Sequence, residues 1–199
     1  MKPVLLALGL LGPPVSTLEP VSTVHTLEVT YVLEVQNGAA DPLHPSAERN
    51  SVLRALQTSS RRPIWTAAVE PEARNLYLRG SVLLTYSCFS GAYLSCTVQA
   101  FARESGRTLW QTNGKLGEVG PNSVLLWDDF FTSDDSPSLS ARFQVVRLPE
   151  GTRKNYTVLV PPRWQCEGPV ELLGVAKFSM EMLEVSFRDS CGTYSRTFR

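Results

Sequence analysis

The stretch SVLLTYSCFSGAYLSCTVQAFA, residues 81–102, decides the reading of this chain. Two runs rich in β-branched and aromatic residues, Val82 to Phe89 and Tyr93 to Ala102, flank Ser90-Gly91, a pair suited to a tight turn, so the stretch reads as a β-hairpin. In an antiparallel pair, facing residues have numbers of constant sum and side chains alternate between the two faces. A two-residue turn at Ser90-Gly91 puts Cys88 opposite Tyr93 and sends Cys96 to the other face. A three-residue loop at Ser90 to Ala92 leaves both cysteines on one face but diagonal to each other. A wider loop centred on Ala92 sets Cys88 directly opposite Cys96, and this is the arrangement expected here, closed by a Cys88–Cys96 disulfide.

Outward from the hairpin, the four cysteines lie 8, 70 and 25 positions apart, without the close pairs of a zinc site, and read as two disulfides, Cys88 with Cys96 and Cys166 with Cys191. Cys96, Trp110 and Cys166 also resemble the cysteine–tryptophan–cysteine spacing of an immunoglobulin variable domain, a resemblance that implies a Cys96–Cys166 bond instead. Trp164 stands where that pattern has a tyrosine, and Pro161-Pro162 breaks the strand before it, so the chain is not assigned to that family.

Three features name one compartment. Residues 1–16 carry one lysine and an apolar run from Val4 to Leu11 before Gly12-Pro13-Pro14, which reads as a signal peptide. Asn155-Tyr156-Thr157 is a glycosylation sequon, and the even cysteine count fits an oxidising environment. No apolar run is long enough for a transmembrane helix. Residues 17–199 are then expected as one β-sandwich domain of a secreted or luminal protein.

The pattern along the chain is mainly β. His25, Leu27, Val29, Tyr31, Leu33 and Val35 alternate with polar residues as one long strand. Ser46 as a cap, with Val52, Leu53 and Leu56 at i, i+1 and i+4, predicts one short helix over about residues 47–58. Gly117 to Asn122 marks a loop, and strands follow at Val124 to Trp127, Ser140 to Leu148, Tyr156 to Val160, Val170 to Val175, Ser179 to Arg188 and Thr193 to Phe198. The expected fold is an antiparallel β-sandwich of nine or ten strands with no internal repeat.

Nineteen Lys and Arg balance nineteen Asp and Glu, which removes the global electrostatic case for nucleic acid or an anionic membrane as partner. The two histidines, His25 and His44, have no nucleophile motif, phosphate loop or zinc motif around them, so no catalytic residue is assigned. Asp128, Asp129, Asp134 and Asp135 lack the alternating oxygens and bend glycine of a calcium loop, so neither metal nor cofactor is expected. What remains is a non-enzymatic glycoprotein module that binds a protein partner, with Trp164, Phe130 and Phe131 as contact residues. Two alternatives are a carrier of a lipid or small apolar ligand between two sheets, and a shortened ectodomain or subunit of a membrane-attached receptor or complex.

Overall fold

The computed structural model describes residues 17–37, 50–90, 94–127, 131–132, 138–166 and 169–199. They form sixteen strands in four antiparallel sheets, with no helix among the described residues. The first sheet is a meander of β1 (Thr17–His25), β2 (Val29–Asn37), β3 (Ser51–Gln57) and β4 (Pro63–Val69). The second repeats that order with β5 (Ala73–Arg79), β6 (Val82–Ser90), β7 (Leu94–Ala102) and β8 (Thr108–Asn113).

The third sheet runs β9 (Lys115–Val119), β10 (Ser123–Trp127), β12 (Leu139–Arg147) and β13 (Arg153–Val160), with the two-residue β11 (Phe131–Thr132) also pairing with β12. The fourth has three strands, β14 (Glu171–Phe178), β15 (Leu183–Asp189) and β16 (Gly192–Phe198).

Alternation of side chains stacks these sheets face to face. Leu83 and Phe101 point from the second sheet into a core shared with Tyr31, Leu33, Leu53 and Ala55 of the first. Their neighbours Val82, Leu84 and Ala100 point the other way, to Val124, Leu126 and Val146 of the third. Leu125, Phe143 and Val145 then face Leu183, Val185 and Phe187 of the fourth. The chain thus extends the face-to-face packing of a sandwich-like class to four successive layers.

Several expectations change. Residues 51–57 are strand β3, and 47–49 lie outside the described residues, so the predicted helix is not formed. β3 is central, between β2 and β4, and buries Ser51, Leu53 and Ala55 while half-burying Val52, Arg54 and Leu56 on its other face. Apolar residues on both faces blur a strand's period of two in the sequence, and the apolar spacing then imitates a helix. The long strand expected from His25 onward is a hairpin broken at Thr26, whose hydroxyl donates to Val29 O at 2.8 Å and accepts from Val29 N at 3.0 Å. Leu27, counted in the alternation, sits at the turn and is 99% exposed. Gly117 lies within β9 rather than in a loop, one reason that sixteen strands are present where nine or ten were expected.

A repeat is also present. Gln57, Ala102 and Arg147, each 45 residues from the last, open the same turn: their N–H groups donate to Arg62 O, Arg107 O and Thr152 O. Their carbonyls accept from Arg61, Gly106 and Gly151, all at positive φ of 58°, 68° and 76°. The sequence trace is thin, with Ala55, Ser60, Arg62 and Trp65 recurring as Ala100, Ser105, Arg107 and Trp110.

This repeat builds the joints between layers. Trp65 lies so close over Gly106 that a Cβ there would fall 2.5 Å from its ring, and Trp110 stands in the same relation to Gly151. Each indole also donates across the joint, Trp65 Nε1 to Arg103 O at 3.2 Å and Trp110 Nε1 to Pro149 O at 3.1 Å. At the third joint Tyr156 takes the indole's place, its hydroxyl donating to Ser179 O at 3.1 Å.

Candidate functional site: a tethered loop carrying Trp164

Pro161 and Pro162 end β13, because proline supplies no N–H to continue the ladder, and the chain turns away as Arg163-Trp164-Gln165-Cys166. The turn closes with Cys166 N donating to Arg163 O at 3.0 Å, and Gln165 takes a positive φ of 69°. Two attachments flank Trp164. On one side Cys166 is bonded to Cys191 in the β15–β16 turn. On the other, Arg163 grips Asp189 at the end of β15, Nε to Oδ2 at 2.7 Å and Nη2 to Oδ1 at 2.5 Å.

The Arg163–Asp189 pair is well supported. Asp189 Oδ1 also accepts from Cys191 N at 2.9 Å, Arg163 Nη2 reaches Gly192 O at 3.2 Å, and the guanidinium lies 4.2 Å over the Tyr194 ring. Tyr194 packs in turn on Phe187 of the core, with centroids 5.6 Å apart. The Asp189 side chain is only 1% exposed, so its charge depends on these donors. The guanidinium bond holds its carboxyl below the usual carboxylate range, desolvation opposing it, and Arg163 is correspondingly raised.

Between these anchors Trp164 is 90% exposed. A tryptophan whose backbone is held in this way has little conformational entropy left to lose on binding. Asp189 also lies within 4.8 Å of both Cys166 and Cys191, but those sulfurs bond each other, so the cluster offers no thiolate for a metal.

The other sequence-derived residues lie apart from this loop. Cys88 faces Cys96 directly and is bonded to it, in a hairpin whose last described pair is Ser90↔Leu94. Residues 91–93 of that loop are outside the described set, as are Phe130 and residues 1–16. Phe131 contributes backbone to β11, pairing with Ser140. Asn155 is exposed on β13, its amide oxygen accepting from Gln144 Nε2 at 3.0 Å, with Thr157 exposed on the same face. His25 closes the first hairpin, Nδ1 lying 3.1 Å from Thr30 Oγ1. Spacing in sequence gave no sign of Arg163 or Asp189, because they meet only through the fold of the last sheet.

Two crevices flank the third sheet. One of about 350 Å³ is lined by Asn113, Arg142, Gln144 and Asn155 with Trp127. The other, of about 240 Å³, opens between the third and fourth sheets beside Leu125, Phe143 and Val175. No helix among the described residues is long and apolar enough to cross a membrane. The chain matches no protein-family model, and no curated protein matches its sequence.

Proposed function

We propose that this protein is a non-enzymatic glycoprotein module of the secretory pathway or extracellular space that binds a protein partner through the Trp164 loop. The supporting observation is the exposure of Trp164 between a disulfide and an ion pair whose carboxylate is almost wholly buried. Binding hot spots favour tryptophan on a pre-organised support, where affinity is not spent on ordering the loop. The stacked sheets serve as a rigid sandwich-type scaffold, and the functional residue sits on a loop that the scaffold positions. The two disulfides fit an oxidising compartment, with Asn155 as the glycan acceptor.

The test is affinity capture from the medium and lumen of secreting cells with the intact chain, Trp164→Ala and Leu27→Ala side by side. Leu27 is the control because it too is almost fully exposed but lies at the tip of the first hairpin. Loss of one partner with Trp164→Ala alone, at unchanged thermal stability, supports the reading. Equal recovery from all three rejects it.

A further inference from the structure

We propose that the crevice of about 350 Å³ beside the third sheet seats the first sugar of a glycan on Asn155 and holds it against the fold. This rests on the reading of the chain as a secretory glycoprotein and gives its sugar a structural place. Two successive layers differ at one amide. Gln99 faces Gln111 across β7 and β8, and Gln144, 45 residues on from Gln99, faces Asn155 across β12 and β13. Each pair is clipped through one bond, Gln99 Nε2 donating to Gln111 Oε1 at 3.1 Å and Gln144 Nε2 to Asn155 Oδ1 at 3.0 Å. In the second sheet the remaining nitrogen is also taken, since Gln111 Nε2 donates to Glu70 Oε1 at 2.8 Å. The residue 45 positions on from Glu70 is Lys115, whose ammonium has no lone pair to accept such a bond. Among the described residues Asn155 Nδ2 therefore lacks the counterpart of that acceptor.

That nitrogen is the one the sequon marks. With Oδ1 turned to Gln144, the planar amide directs Nδ2 away from β12 and toward the crevice that Asn155 lines. Asn155 and Thr157 are both exposed on one face of β13, which among the described residues pairs only with β12, so the sequon stands at a sheet edge. On glycosylation Nδ2 bonds the anomeric carbon of a polyprenyl-diphosphate-linked oligosaccharide, loses one proton and displaces the diphosphate. The bond from Gln144 survives this step, because it uses the carbonyl oxygen that the glycosylated amide keeps.

The crevice has the chemistry of a sugar subsite. Arg142, opposite Thr157 in the β12–β13 register, and Asn113 at the end of β8 are exposed donors suited to ring hydroxyls and to the carbonyl of an N-acetyl group. Leu126 and Trp127 add apolar surface for the C–H face of the ring. A few convergent polar groups beside an apolar wall are the usual make-up of a small-ligand site.

The test compares three forms of the full chain. One is secreted from mammalian cells held at high-mannose glycans, the second is that protein trimmed by an endoglycosidase to a single N-acetylglucosamine, and the third is the same sequence from a bacterial periplasm, which adds no such glycan. Thr157→Val, secreted from the mammalian cells, is a second bare form with Asn155 intact. The glycosylated and trimmed forms should melt together and the bare forms about 2–4 °C lower. In the trimmed form the N-acetyl methyl group should show NMR cross-relaxation to Leu126 and Arg142. Arg142→Ala should lower the melting temperature of the trimmed form and leave that of the bare form unchanged. A sugar without those contacts, trimmed and bare forms that melt together, or an equal effect of Arg142→Ala in both overturns the proposal while the glycoprotein reading stands. An Asn155 that carries no glycan in the secreted chain rejects both.

Discussion

Arg163 and Asp189, 26 residues apart, meet through two parallel N–H···O contacts of 2.7 and 2.5 Å, and the residue after Arg163 is the exposed Trp164. The bidentate geometry fixes the direction in which the loop leaves the last sheet, so the orientation of the tryptophan is tied to one ion pair and one disulfide.

That pair gives the loop an acid limit. Asp189 ionises below its unfolded value, so its contribution is complete above the ordinary carboxylate pKa of about 4 and is lost as pH falls from there through the lower folded value. Thermal melts of the wild type and Asp189→Asn at several pH values should therefore differ at pH 7 and converge toward pH 2. Parallel curves at all pH values would contradict the assignment.

The layer joints make a second prediction. Gly106→Ala and Gly151→Ala each drive a Cβ to 2.5 Å from a tryptophan ring, at a backbone φ that L-residues disfavour. Each should cost about 2–4 kcal/mol in denaturant unfolding. Gly80→Ala is the control, because its φ of 55° is similar but nothing lies within 4 Å of the added carbon. It should cost only about 1 kcal/mol.

The two disulfides should differ in weight. Cys88–Cys96 spans 8 positions and Cys166–Cys191 spans 25. On the loop-entropy model their removal by Cys→Ser pairs costs about 2.6 and 3.5 kcal/mol respectively. Only Cys166→Ser with Cys191→Ser should also weaken partner capture, since only that bond anchors the Trp164 loop. Chemical denaturation and capture assays read the two effects separately.

Passage through the secretory pathway would leave a glycan at Asn155. Secreted from mammalian cells, the wild type should lose mass on enzymatic removal of N-glycans, and Asn155→Gln should show no such shift.

How far the fold was legible depended on where each strand lies. The Val82 to Ala102 hairpin could be read because Cys88 and Cys96 tie parity to a covalent bond, and the structure has the register of that expected wider loop. Residues 51–57 misled because Leu53 and Ala55 face the core while Val52 and Leu56 are apolar on the half-buried face, which blurs the period of two in the sequence. The 45-residue repeat is carried by backbone turns and by Trp65 and Trp110, with few other identities, so composition hid it. The exposure of Trp164 was readable from its polar, Pro-rich surroundings. Its support was not, because Asp189 and Tyr194 reach it only once β15 and β16 have paired.

Contact with a protein is proposed to run through Trp164. The most direct measurement replaces Trp164 with a photoreactive phenylalanine analogue in secreting cells, with the same analogue at Leu27 as reference. One dominant cross-linked adduct at position 164, suppressed when unlabelled wild-type chain is added in excess, is the predicted result. Adducts no different in identity or yield between positions 164 and 27 would contradict it.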